Sequence, residues 1–285
     1  MSKPGPNYDV TIRPRRSWLY FDWRGLVQYR DLLRELVSRD FSSRYKQTIL
    51  GPAWFVINPL ITTTIFIIVF GKVVGVPTDG IHPALFYLCG LLGWTYFALV
   101  LAGTGNTLHG NIQLFAKVYF PRLIVPLAVV VSNLIMFAIQ LTSFAVIYVF
   151  LVLTNPGVAS RPSLWLLALP LLVLHTAMLA MGVGLILSAI SAKYKDFNHL
   201  SGYLVQVWMY ASPIIYPLSK IPEKWQWAAA LNPMTGIIEA FRTMFLGTHS
   251  VTTAQYACSV VISAGMCVIG VLLFQHVARR FVDYA

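Results

Sequence analysis

Six stretches of this chain are long enough to cross a lipid bilayer without a single Asp, Glu, Lys or Arg: 47–71, 80–116, 123–160, 162–192, 197–219 and 243–278. A helix needs roughly 20 apolar residues to traverse about 30 Å of hydrocarbon, and each run exceeds that. In hydrocarbon the backbone must satisfy its own hydrogen bonds, which leaves helices or closed barrels. Barrel strands alternate apolar and polar residues over about ten positions, whereas these runs are apolar all round. Only 11% of the 285 residues are charged, against about a quarter in a soluble domain. The expected fold is therefore an all-α polytopic membrane protein. Its six transmembrane helices fall near 52–72, 84–108, 124–153, 163–190, 200–217 and 254–277. A buried soluble core is the competing account, and six such runs leave it little room.

The placement of the cations orients those spans. With six crossings, one side receives the N-terminus, the loops near 110–122 and 191–199, and the C-terminus. These segments hold 16 of the 21 Lys and Arg. The positive-inside rule then puts both termini in the cytoplasm. The same bias, acting with anionic lipid headgroups, accounts for the net charge of +11 without invoking nucleic acid. Residues 1–51 are hydrophilic and lack the short apolar core of a signal peptide. They read as a cytoplasmic N-terminal segment, 52–277 as the six-span domain and 278–285 as a cytoplasmic tail. Cys89, Cys258 and Cys267 have no metal-ligand spacing and read as small apolar packing residues.

From Arg24 to Lys46 the pattern turns helical. Leu26, Tyr29, Leu33, Leu36, Val37, Phe41 and Tyr45 share one face, and charged residues largely cover the rest. Such a helix either lies flat in the headgroup region or packs as an ordinary surface helix. Pro52 opens the first span, where its missing N–H costs nothing. Asn111–Arg122 reads as a short cytoplasmic helix closed by Pro121, and Ala192–Phe197 as a second short cytoplasmic element. The region 218–250 is too polar and interrupted for a span. Two short helices near 222–231 and 233–246 are expected there, as a hairpin re-entering the outer leaflet. Glu239 and Arg242, three apart on the second helix, can neutralise each other. Trp225 and Trp227 suit an interface.

The missing chemistry narrows the function. The six spans contain no acidic residue, so they offer no carboxylate for a coupling ion. His175 is the clearest intramembrane histidine, and a hydrogen-bonded packing role suits it better than a proton relay. His109 and His276 lie near span ends. No H-E-x-x-H, C-x-x-C, G-x-S-x-G or phosphate-cradling G-x-x-x-x-G-K-[ST] motif occurs. Gly103-Thr104-Gly105 reads as a place of close helix packing. An active transporter of this composition needs a separate ATPase acting on its cytoplasmic loops.

Several short motifs, in order around the six spans, carry a resemblance. They are Arg39-Asp40 to Tyr45-Lys46, Leu50-Gly51-Pro52-Ala53-Trp54, Asn58-Pro59-Leu60, Phe120-Pro121-Arg122 with Pro126, Tyr194-Lys195-Asp196-Phe197, Ser212-Pro213-Ile214-Ile215-Tyr216, and Asn232-Pro233 followed by Arg242. Over nearly its whole length the chain resembles the membrane subunit of ABC-2 type exporters, in the branch that exports lipid-linked O antigen, capsule and teichoic acid. The resemblance implies a homodimer of permeases paired with two nucleotide-binding ATPase subunits in the bacterial inner membrane. ATP and Mg²⁺ would then sit on the partner, with no cofactor on this chain. It also implies that the N-terminal helix touches the ATPase and that Asn111–Arg122 and Ala192–His199 act as coupling helices. The 222–246 hairpin would form an outer gate carrying Trp225, Trp227, Glu239 and Arg242. The docking or positioning residues expected from it are Lys117, Tyr119, Phe120, Arg122, Lys195 and Asp196, with Arg39 and Asp40. For Lys117 and Arg122, simple obedience to the positive-inside rule is the alternative.

A path for glycans calls for aromatic faces and uncharged polar groups, because tight ionic grips would stall a sliding ligand. Trp54, Asn58 and Thr62 form one stripe on the first span, and Tyr203, Gln206 and Tyr210 one on the fifth. The family places these two spans along the translocation path at the dimer interface. The interfacial aromatic belt is the alternative for Trp54 and Tyr203. The function expected is export of a lipid-linked polysaccharide, O antigen foremost, with no covalent chemistry in this chain. An ABC-2 exporter of a drug or small lipid-like molecule is one rival. A membrane-embedded enzyme or scaffold of glycan assembly is the other.

Overall fold

The computed structural model describes residues 23–45, 49–117, 120–155, 162–194, 196–248 and 251–281, and among these every regular element is helical. At the N-terminal side, α1 (Trp23–Gln28) and α2 (Arg30–Tyr45) replace the single helix expected over 24–46, with a break at Tyr29. The first long apolar helix starts with a short turn at Gly51–Ala53. It continues as α3 (Trp54–Phe66) and widens into a π-helical stretch, Ile67–Val73. Then come α4 (Pro83–Gly105), α5 (Thr107–Gly110), α6 (Ile112–Lys117) and α7 (Ile124–Thr154). A 3-10 turn at Leu164–Ala168 leads into α8 (Leu169–Ser191), followed by α9 (Phe197–Tyr210), α10 (Glu223–Leu231), α11 (Pro233–Leu246) and α12 (Thr253–Phe281).

Among the described residues, five helical stretches are long and apolar enough to cross a membrane: 51–73, 83–105, 124–154, 164–191 and 253–279. The expected fifth crossing is the exception. Its helix, α9, has 14 residues, a rise of about 21 Å at 1.5 Å per residue. The charge-free run continues to Ser219, but Pro213 biases the residue before it away from helical dihedrals. The helix stops at Tyr210, and residues 211–217 form turns instead. By contrast, α7 has 31 residues and is about 46 Å long, enough to cross with a tilt.

α4 sits at the centre. It packs along α8 and α7, takes α11 on another side, and is buried along most of its length. Leu85, Phe86, Tyr87, Phe97, Phe137, Phe144, Phe241 and Phe245 build the main core around it. Several of their rings meet edge-on, as for Phe97 against Trp208 and Phe144 against Phe245, while Phe241 and Phe245 stack.

Small residues bring the backbones together. A Cβ on Gly182 of α8 would lie 2.6 Å from the Cys267 nitrogen of α12, so no larger residue fits that crossing. Gly184 likewise faces the Thr104 side chain, which accounts for the Gly103-Thr104-Gly105 stretch. His175 is buried, its Nε2 3.0 Å from Ser263 Oγ and its ring edge-on to Tyr256. Ser263 spends its own proton on the Ser259 carbonyl at 2.8 Å, so His175 donates. That is the expected packing role.

A second core closes one end of the bundle. Leu36 of α2, Phe115 of α6, Phe120 and Leu123, Leu185 of α8, and Phe274 and Ala278 of α12 form it. With α2, α5, α6 and the turn before α9 gathered there, this is the basic end. The segments 74–82 and 211–222, with residues 247–248 and 251–252, mark the far end. There Ser219 Oγ donates to Asp79 Oδ2 at 2.7 Å, and the Ser163 amide donates to the Met244 carbonyl at 2.9 Å.

Candidate functional site

A cleft of about 450 Å³ opens between α3, α4, α7 and α9. The α3 stripe lines it: Trp54, Asn58 and Thr62 face Trp94, Thr95 and Ala98 of α4, with Gln140 of α7 at the back. Among the described residues no Lys, Arg, Asp or Glu lines this cleft. Its polar groups are amides and hydroxyls, and its flat surfaces are indole and phenyl rings. α9 closes it with Ser201, Gly202, Val205 and Met209.

The expected α9 stripe lies elsewhere. Val205, Trp208 and Met209 pack against the main core, and a 3.6-residue repeat then turns Tyr203, Gln206 and Tyr210 outward. Tyr203 is 69% exposed and Tyr210 49%; Gln206 is exposed as well. Within one chain the two stripes do not share a cavity. One face of α3 and of the π-helical stretch after it is also uncovered, with Leu60, Ile61, Ile65 and Ile68 exposed.

The two helices expected over 222–246 are present as α10 and α11, and their environments differ sharply. α10 is peripheral, with Trp225 and Trp227 exposed, whereas α11 is buried for most of its length. Pro233 at its first turn and the Asn232 cap start α11, and Gly247, at φ 72°, ends it. Glu239 and Arg242 form an ion pair at 2.6 Å, their side chains 2% and 1% exposed. Arg242 Nη2 also donates to the Ile214 carbonyl at 3.0 Å, and the guanidinium lies 3.7 Å from the centre of the Phe86 ring. The expected neutralising pair is thus also a strut between α11, α4 and the turn after α9. A cavity of about 910 Å³ lies between residues 74–77, the end of α9, residues 216–222 and α10. Trp208, Tyr216, Lys220 and Trp225 are among its walls.

At the basic end the expected docking residues divide by exposure. Lys117 closes α6 and Asp196 precedes α9, both exposed. Phe120 is 5% exposed and stacks on Phe115 with centroids 5.7 Å apart. It can position the segment, not touch a partner. Arg122 sits over the Phe115 ring at 5.9 Å. Arg39 binds Asp40 at 3.2 Å and donates to Asn111 Oδ1 at 3.3 Å, tying α2 to the 107–117 segment. His109 Nε2 in turn donates to the Ser191 carbonyl at 2.8 Å, tying that segment to α8. Tyr119 and Lys195 lie outside the described residues. Residues 192 and 193 form a turn, not the start of the short helix the resemblance implies over Ala192–His199; the Tyr194 amide bonds back to the Ile190 carbonyl, and helix resumes with α9 at Phe197.

The model of one family, the ABC-2 type transporters, matches residues 31–246. The chain belongs to that family. It is 28% identical over 256 residues to an O-antigen export system permease protein RfbA of Klebsiella pneumoniae, covering 89% of this chain and 94% of that one. The RfbA permease of Myxococcus xanthus is 29% identical over 226 residues, 78% of this chain and 83% of its own. The capsule polysaccharide export inner-membrane protein CtrC of Neisseria meningitidis serogroup B is 23% identical over 235 residues, 81% and 84%.

In this ABC-2 chain, three site features escaped the sequence reading. Gln140 lines the cleft from the middle of α7, away from the motif at its start. The inner face of α9 carries only Ser201 and Gly202 as hints, both small. Asn232 joins α9 to α11 through partners 20 to 24 residues away. A capping signal, Asn before Pro, marks Asn232 locally, but nothing local marks its remote partners.

Proposed function

We propose that this chain is the channel-forming subunit of an ATP-driven exporter that moves a lipid-linked polysaccharide, O antigen foremost, across the bacterial inner membrane. It would work as a homodimer with two copies of a separate ATPase, which carries the ATP and Mg²⁺. The observation that carries the substrate class is the likeness to O-antigen export permeases along 89% of the chain. The cleft agrees with it: Trp54 and Trp94 offer faces for sugar C–H groups, and Asn58, Thr62 and Gln140 offer uncharged hydrogen bonding.

Six crossings, with α9 as the short one, are supported by the parity of the chain. Leu36 of α2 and Ala278 of α12 share the basic-end core, so the chain returns to the end it left. Asp79 and Ser219 meet at the far end, so α9 carries the chain between ends. The cation bias assigns the basic end to the cytoplasm. On that assignment α10 and α11 would lie in the outer half of the membrane as the gate. An ATPase would then dock at α2, Lys117, Arg122 and Asp196. Exposed α3 and the Tyr203–Tyr210 face of α9 suit a second copy, which would bring the two aromatic stripes onto a shared path.

Closure of the ATPases would push on the basic end. The bonds Arg39–Asn111 and His109–Ser191 would spread that push over α2, the 107–117 segment and α8. Asn58→Ala and Tyr210→Ala test the path. Each should lower surface O antigen about tenfold, the equivalent of roughly 1.4 kcal/mol, at unchanged permease level. Wild-type export by both variants would sink the path assignment.

A further inference from the structure

Among the described residues α9 is the shortest of the six proposed crossings, and one amide ties its far-end tip to α11. Asn232 Oδ1 accepts from Trp208 Nε1 at 2.9 Å and from the Met234 amide at 3.1 Å. Its Nδ2 donates to the Ala211 carbonyl at 3.2 Å and to Ser212 Oγ at 3.1 Å. An indole N–H can only donate and a carbonyl can only accept, so these partners fix the orientation of the amide. Both lone pairs and both protons of the side chain are used. Ser212 Oγ gives its own proton to the Trp208 carbonyl at 2.8 Å, which closes the ring of bonds. One side chain thus caps α11 and terminates α9 at the same time. Three turns further along α11, Arg242 grips the next part of the same turn through the Ile214 carbonyl.

At this end the inner face of α9 also packs on the main core through Trp208, edge-on to Phe97, and Met209, and the Tyr216 hydroxyl donates to the Tyr210 carbonyl at 3.4 Å; the bonds of Asn232 are what join it to α11. Its outward face, with Tyr203, Leu204, Val207 and Tyr210, is uncovered. A helix free on one face and pinned at its tip moves with whatever pins it. We infer that Asn232 is a positioning residue for transport: it locks the tip of α9 to the start of α11, so that the path-lining helix and the α10–α11 hairpin move as one body. The inference rests on the exporter reading for its transport consequence, while the lock itself is a property of the chain alone.

Alanine at 232 strips a partner from the indole N–H, from the Met234 amide and from the Ala211 carbonyl together. Trp208→Phe removes only the indole donor and keeps a ring against Phe97, so it probes the lock with little risk to folding. The test uses the full chain with its ATPase in lipid nanodiscs and in proteoliposomes. Spin labels at Leu204→Cys and Gln226→Cys, in a background with the three native cysteines replaced, report the distance between α9 and α10. Export per ATP hydrolysed reports coupling.

The expected result is a distance distribution that broadens in both variants. Export per ATP should fall about tenfold for Asn232→Ala and a few-fold for Trp208→Phe, with the double variant no worse than Asn232→Ala, because the two share one bond. The inference is overturned if Trp208→Phe leaves distances and export per ATP unchanged, or if the two losses multiply. It is also overturned if Asn232→Ala only reduces the amount of folded complex at constant export per ATP. Failure of the unaltered complex to export, with the distance effect intact, would instead count against the exporter reading and leave the lock standing.

Discussion

Replacing Arg242 with Met keeps most of the side-chain volume but leaves the Glu239 carboxylate without its partner in a site where it is 2% exposed. Breaking a buried pair from one side costs about 3–5 kcal/mol, because the remaining charge is stranded. The Ile214 carbonyl also loses its donor, at about 1–3 kcal/mol. The guanidinium over Phe86, 3.7 Å from the ring centre, contributes up to about 2 kcal/mol more when desolvated. These losses share partners and do not add in full. A floor of about 3 kcal/mol still means roughly a hundredfold fall in the ratio of folded to unfolded protein. Adding Glu239→Gln removes the stranded charge and should recover most of the loss, leaving about 1–3 kcal/mol for the orphaned carbonyl. Reversible unfolding in mixed detergent micelles, compared across the parent, the single variant and the double variant, reads both quantities. The reasoning is refuted if Arg242→Met costs under about 1 kcal/mol, or if the double variant is no more stable than the single one.

Gly182→Val should prevent α8 and α12 from reaching their crossing, since a Cβ alone meets the Cys267 backbone at 2.6 Å. Overpacking of this kind costs about 1–3 kcal/mol or more, and the yield of monodisperse permease in mild detergent measures it. Lys117→Ala and Asp196→Ala should each change stability by no more than about 0.5 kcal/mol, as exposed positions do. Both should nevertheless reduce the ATPase recovered with a tagged permease, and undiminished recovery would remove these residues from the docking surface. Trp225→Phe with Trp227→Phe should lower the fraction of tryptophan fluorescence quenched by lipids brominated near the headgroup. No change would place α10 away from the membrane interface.

Much of the bundle was legible because hydrocarbon imposes a simple rule. The charge-free runs located α4, α7 and α12, and α8 together with the 3-10 turn before it, to within a few residues, and Asn232-Pro233 divided α10 from α11 at the observed position. Where the rule concerns charge alone, it overreached. It carried the fifth crossing on to residue 217, although Pro213 had already ended the helix. Periodicity in a run that is apolar all round also says little about which face is inward. On α9 the polar stripe of Tyr203, Gln206 and Tyr210 stood out, yet Val205, Trp208 and Met209 fill the core. A polar aromatic stripe can face a path or a membrane interface equally well, and only packing separates the two. Phe120 stands among charged neighbours in the chain, yet it is buried on Phe115. The lock at Asn232 was illegible for a different reason, since its partners come together only after the turn at 211–217 has formed.

Transport itself is the most direct test of the account. The permease and its ATPase would be reconstituted into vesicles, with lipid-linked O antigen supplied on the face that carries the ATPase. A lectin specific for the glycan would report its arrival on the opposite face. The account predicts lectin-accessible glycan only when both proteins and hydrolysable ATP are present. Glycan that crosses at the same rate without the ATPase, or an assembled complex that hydrolyses ATP and moves none, would contradict it.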